Sequence, residues 1–196
     1  MLTNARTAIY GDNKVPVIER VWKAAELSPY RKTYRLIPGQ HWNDATVSDS
    51  QTEHYVLLEN AQAVPVGAVI ARELMTEGSN CAVFTELWAG RCVLVGPDLV
   101  CVKEEGEIRE LLDQLRAANN GRLGGLPDVL AVFPNGRIAM REAKNIAAKD
   151  RIGSKQHALA RIAQRLFGDR LDLAIVEWGR LPMMNNIHSA PDKALH

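Results

Sequence analysis

Apolar positions along the chain change character at about residue 90. Before it, the pattern predicts a short helix over Val17 to Leu27 and strands over Tyr34–Ile37, His54–Leu58 and Val64–Ala71, with a polar, turn-rich stretch over Pro38–Ser50. After it the signals tighten. Cys92–Val95 and Leu99–Val102 are apolar runs on either side of Gly96-Pro97-Asp98, which predicts two strands joined by a turn. Ile108, Leu111, Leu112 and Leu115 keep a helical interval until Asn119-Asn120-Gly121 ends it. Val129–Phe133, Pro134-Asn135-Gly136 and Arg137–Ala143 read as strand, turn, strand. A second helix follows, with Leu159, Ile162, Ala163 and Leu166 on one side, Ser154 as its N-cap and Gly168 as its stop. Leu171–Val176 reads as a last strand, and the tail from Leu181 as irregular.

The expected architecture is therefore α/β: a core of helix, strand, strand, helix, strand within residues 91–180, preceded by a mixed α/β region over 1–90 and followed by a tail over 181–196. At 196 residues, with 46% hydrophobic and 24% charged residues, the chain has the composition of a globular protein and not of a disordered or fibrous one. A net charge of +1 supplies no global attraction for nucleic acid. The three cysteines stand nine or more residues apart, which suits neither a disulfide framework nor a zinc site. No apolar run approaches the roughly 20 residues of a membrane span, and the opening residues lack the pattern of a secretory leader. The expectation is a cytoplasmic protein without a membrane partner.

Chemistry concentrates in the second half. Glu142 and Lys144, two apart on a strand, share one face. The side on which Asp128 falls depends on the turn. A two-residue Asn135-Gly136 loop sends it to the opposite face, whereas a three-residue loop sets Phe133 against Arg137 and Asp128 against Glu142. Pro134 suits the first corner of the longer loop and Gly136 its left-handed position, so turn chemistry favours the second register. Leu130, Val132, Ile138 and Met140 would then form the apolar floor of that face. Two facing carboxylates repel and call for a proton or a cation, and oxygen ligands suit Mg²⁺ or Mn²⁺. With a lysine beside them to position or deprotonate a water, the arrangement fits metal-assisted hydrolysis of a phosphodiester.

Gly125-Leu126-Pro127-Asp128, followed after 13 residues by Glu142-Ala143-Lys144, resembles the PD-(D/E)xK nuclease motif. The likeness is greatest to the virus-type replication and repair nucleases, the VRR-NUC group, in which a glutamine also opens the next helix; here that residue is Gln156. The resemblance covers about residues 119–178. It implies a restriction-endonuclease-like core, with Asp128, Glu142 and the Ala143 carbonyl as ligands of Mg²⁺, for which Mn²⁺ would substitute. It further implies Lys144 as the water-activating residue, Gln156 as an auxiliary site residue, branched or structured DNA as substrate, and a homodimer. Such nucleases usually add an acidic residue from the preceding helix, for which Glu104, Glu105, Glu107 and Glu110 compete; Glu107, one turn before Leu111, is the first choice.

Local charge agrees with a phosphate partner. Residues 137–170 carry nine cationic and three anionic side chains, and Lys149, Arg151 and Lys155 beside Lys144 are the expected phosphate contacts. Other candidates take plainer readings. Pro97-Asp98 lacks a following ExK and is a turn; the five histidines show no ligand spacing; the four tryptophans are assigned to core or interface. Tyr30-Arg31-Lys32 with Tyr34-Arg35 is assigned to an edge strand. Two alternatives stand beside the structure-specific nuclease: a sequence-specific restriction-type endonuclease that uses residues 1–90 for base readout, and a non-catalytic DNA-binding or assembly module.

Overall fold

Val15 and Val17 are buried while Lys14 and Pro16 are exposed, which is the period of a strand. In the computed structural model, which describes residues 6–24, 55–57, 63–85, 92–95, 100–103 and 106–179, these residues lie in strand β2, Asn13–Glu19. It pairs with β1, Thr7–Tyr10, across a tight turn that sets Tyr10 against Asn13. The helix expected over Val17 to Leu27 is thus replaced by strand as far as Glu19 and by a short strand β3, Lys23–Ala24. The β-branched Val15, Val17 and Ile18 favour that outcome. Residues 25–27 lie outside the described residues.

The strand expected around His54–Leu58 is present as β4, Tyr55–Leu57, between β3 and β5, Ala63–Pro65, in a small three-stranded sheet. The strand expected over Val64–Ala71 is mostly helix. After Pro65 the chain enters α1, Val66–Thr76, whose buried Val66, Ile70, Ala71 and Leu74 follow a helical interval. Its density of valine and isoleucine imitates a strand in sequence. Strand β6, Cys81–Phe84, has no counterpart among the sequence expectations.

From there the order agrees with the sequence: β7, Cys92–Val95; β8, Val100–Lys103; α2, Gly106–Ala118; β9, Val129–Val132; β10, Ile138–Asn145; α3, Ser154–Phe167; and β11, Leu171–Trp178. Gly153, one residue before the expected Ser154, is the N-cap of α3. Glycine has no capping side chain, and its N–H is instead accepted by Gln156 Oε1 at 2.7 Å.

Among the described residues the main sheet has eight strands in the order β1-β2-β11-β10-β9-β6-β7-β8, of which only the pairs β2 with β11 and β11 with β10 run parallel. Strands from before residue 90 therefore flank the motif-bearing strands on both sides, and the division at that residue is not a boundary in the sheet. Helices α2 and α3 cover one face, packing Leu111, Leu115, Leu159 and Ala163 with Leu130, Val132, Ile138 and Met140. Helix α1 covers the other, over Val129, Ala131, Ala139, Ala143 and Val176. Trp178 is fully buried in that second cluster, with Trp22 packed against it. No helix among the described residues is long and apolar enough to cross a membrane. Outside the described residues lie Tyr30–Ile37, Pro38–Ser50, Trp42, Trp88, the turn Gly96-Pro97-Asp98, Glu104 and Glu105, and the tail over 181–196.

Candidate active site

The β9–β10 loop takes the three-residue form. The Phe133 N–H donates to the Arg137 carbonyl at 2.9 Å, the Gly136 N–H donates to the Phe133 carbonyl at 2.8 Å, and Gly136 has φ 76°. Val132 then faces Ile138, and the ladder runs to Val129 against Arg141. Continued to Ala143, this register reaches Pro127, which has no N–H to give the Ala143 carbonyl. The Ala143 N–H turns instead to Asp128 Oδ2, at 2.6 Å. Thr85 fixes the same corner from β6's end: its hydroxyl donates to the Pro127 carbonyl and its N–H to the Asp128 carbonyl at 2.8 Å. Pro-Asp thus ends the ladder at a defined place. It leaves a carboxylate and a backbone carbonyl without a ladder donor side by side.

Glu142, on the α3 face of β10, is 1% exposed. Three donors reach its carboxylate: the Tyr10 hydroxyl at Oε2 (3.3 Å), and the Gln156 amide (2.5 Å) and Lys144 ammonium (2.8 Å) at Oε1. Lys144 Nζ also lies 3.3 Å from Asp150 Oδ2. Burial first, and the charge of Asp128 second, push the Glu142 carboxyl well above the usual glutamate range against the pull of Lys144. Burial draws the Lys144 ammonium down, but Glu142 and Asp150 outweigh it and hold it above its ordinary value. Burial, then Glu142 and Asp128, raise the Tyr10 phenol.

Local sequence explains how these groups are held. Gly125, at φ 87°, lies under the first turn of α3, where an added Cβ would come within 2.2 Å of the Lys155 carbonyl oxygen. Glycine is what lets the helix start approach the Pro-Asp corner. Gln156 then serves twice, accepting from the Gly153 N–H and donating to Glu142. After β10, the Asn145 side chain accepts the Ala147 and Ala148 N–H groups, and the Asp150 N–H bonds the Asn145 carbonyl. That turn brings Asp150 back over Lys144.

The structure places Asp128, Glu142, the Ala143 backbone, Lys144 and Gln156 together. Lys149, Arg151 and Lys155 are exposed along the segment that leads from Lys144 into α3. Glu107 is not at this site. Its carboxylate accepts from Asn80 Nδ2 at 3.1 Å, beside Cys81, which pairs with Val132 at the far end of β9. Four strand residues, roughly 13 Å, separate that end from Asp128. Helical spacing puts Glu107 one turn before Leu111 but carries no information on which end of α2 meets the motif. Part of the basic segment is also engaged elsewhere: Arg141 and Arg137 both pair with Asp172, at 2.6 and 2.9 Å. Conversely, Tyr10, Thr85 and Asp150 belong to the site, and no sequence motif marked them.

Among the described residues, no group of three or more His, Cys, Asp or Glu side chains forms a ready metal cage. A cation here would rest on the Asp128 and Glu142 carboxylates, the Ala143 carbonyl and solvent, which is a donor set suited to Mg²⁺. Acidic groups gather at the same place: Lys144 pairs with both Glu142 and Asp150, and the Asp128 charge bears on the Glu142 carboxyl. No family model, curated protein or solved structure matches the chain.

Proposed function

We propose that this protein is a metal-dependent endodeoxyribonuclease with a restriction-endonuclease-like core of the PD-(D/E)xK kind, acting on branched or otherwise structured DNA. The observation that carries the reading is the convergence of Asp128, Glu142 and Lys144 on one sheet face at the point where Pro127 ends the β9–β10 ladder. The order α2, β9, β10, α3, β11, with β11 parallel to β10, supports it. Asp128, Glu142 and the Ala143 carbonyl would hold Mg²⁺ or Mn²⁺, which when bound neutralises charge on the scissile phosphate.

The chain's own residues divide the remaining work. Hydrolysis adds a water oxygen to phosphorus and breaks one bridging P–O bond, leaving a phosphate monoester and a hydroxyl end. Lys144, held protonated by its two carboxylate neighbours, acts as a donor that orients the water and meets developing negative charge. This narrows the sequence expectation, which left Lys144 free either to position or to deprotonate a water. Gln156 fixes the rotamer of Glu142. Lys149, Arg151 and Lys155 contact phosphates on either side of the cut. Cuts in two strands need two sites, for which a homodimer is the simplest source.

The test is a cleavage assay of purified protein and Glu142→Ala on labelled linear, flapped, single-stranded and four-way DNA with Mg²⁺, Mn²⁺ or EDTA. Metal-dependent cutting at flaps or junctions, lost in the variant, is the expected result. Fixed fragments from linear duplex would replace it with a restriction-type enzyme, and binding without cutting on every substrate would replace it with a non-catalytic module.

A further inference from the structure

Oε1 of Glu142 is shared between Gln156 and Lys144, whereas Oε2 takes the hydroxyl of Tyr10, a residue 132 positions earlier in the chain. Tyr10 is 1% exposed and stands edge-on to His157, with ring centroids 6.1 Å apart at 83°. Its backbone is fastened to α3 as well. The Tyr10 carbonyl accepts Gln164 Nε2 at 2.9 Å, the Gly11 N–H donates to His157 Nδ1 at 3.2 Å, and the Asp12 N–H donates to Gln164 Oε1 at 3.2 Å. Gly11, at φ 69°, permits the contact, because a Cβ there would come 2.5 Å from Gln164 Oε1.

Packing alone does not ask for this hydroxyl. Phenylalanine would fill the same space without burying a polar group beside a buried carboxylate. We propose that Tyr10 is a positioning residue for Glu142: the β1–β2 hairpin carries its hydroxyl to Oε2 so that the carboxylate is held from two sides in the orientation in which a cation would bind it. This rests on the reading of the site as cation-dependent. It also gives the first strands a part in the chemistry, since they supply one of the three donors on the central carboxylate.

The experiment uses the full chain and three variants, Tyr10→Phe, Gln164→Ala and Glu142→Ala. Mn²⁺ binding is measured without DNA by calorimetry, cleavage is followed against Mn²⁺ concentration, and thermal unfolding is recorded. Partners that orient metal ligands are typically worth about 10–100-fold in affinity. Tyr10→Phe is expected to bind Mn²⁺ about tenfold more weakly, to regain cleavage at saturating Mn²⁺, and to unfold within a few degrees of the parent. Gln164→Ala, which loosens the hairpin without touching Glu142, is expected to shift affinity in the same direction by about threefold, a fraction of that range. It decides the matter if Tyr10→Phe does not fold. Parent-like Mn²⁺ affinity in the folded variants, whatever their melting temperature, makes Tyr10 a packing residue and overturns the inference. Should the parent chain itself show no Mn²⁺ binding sensitive to Glu142→Ala, the reading of the site falls and the inference with it; the two failures are told apart by the parent protein alone.

Discussion

The two faces of the β9–β10 pair bury charge in different ways. On the α1 face, Arg141 bonds both the Asp172 carboxylate and the Asp172 carbonyl, while Arg137 reaches the same carboxylate and lies 3.6 Å over the Phe133 ring. Two cations there meet one carboxylate. On the opposite face the cluster is acidic: Lys144 pairs with both Glu142 and Asp150, and the Asp128 charge raises the Glu142 carboxyl. The same two strands thus carry a cation-centred cluster on one face and a carboxylate-centred one on the other. Burial of ionised groups alone does not mark a functional site; under the proposed function it is the convergence of acidic groups on Glu142 that distinguishes the second face.

Four perturbations separate these faces. Glu142→Ala or Asp128→Ala is expected to abolish cation-dependent cleavage, a loss of about 10³-fold or more, with far-UV dichroism unchanged; wild-type turnover in either would remove the site. Lys144→Ala is expected to slow the cut by about 10²–10³-fold while DNA and Mn²⁺ still bind, and an unaltered single-turnover rate would end its proposed role. On the α1 face, Arg141→Ala is expected to cost about 2 kcal/mol in denaturant unfolding, between the values for surface and buried pairs because Asp172 is partly exposed. Its cleavage rate per folded molecule should stay unchanged, and a large catalytic defect would show that the two faces do not act separately. Lys149, Arg151 and Lys155 changed together to Ala should leave folding alone and flatten the salt dependence of DNA binding by about 2.7 in log–log slope; an identical slope would assign them to solvent.

The core of the site was legible because it is local. Pro134 and Gly136 dictate the loop, the loop dictates the register, and the register sets Asp128 against the Glu142 strand, all within 15 residues of sequence. Gln156 was legible for a similar reason, as a position on the first turn of a well-marked helix. Tyr10 was not, because it arrives through pairing of β2 with β11 across most of the chain, and nothing in its neighbourhood distinguishes it from a core tyrosine. The misreadings of Val17–Leu27 and Val64–Ala71 share one cause. Dense valine and isoleucine fit either period over so few residues, and tertiary pairing settles the choice. Glu107 failed on direction, since α2 begins beside Asn80, at the end of β9 away from Asp128.

The order of strands in the main sheet bears on any attempt to isolate the motif. A fragment that starts at residue 91 keeps every motif residue, yet it loses β2 from one side of β11 and β6 from one side of β9. Both strands would then offer rows of bare backbone N–H and C=O to other molecules, the condition under which sheets associate edge to edge. Such a fragment is expected to aggregate rather than to yield a minimal enzyme, so the motif cannot be transplanted or trimmed as a cassette. What reads in sequence as an appended region is, for β9 and β11, the cover over their hydrogen-bonding edges.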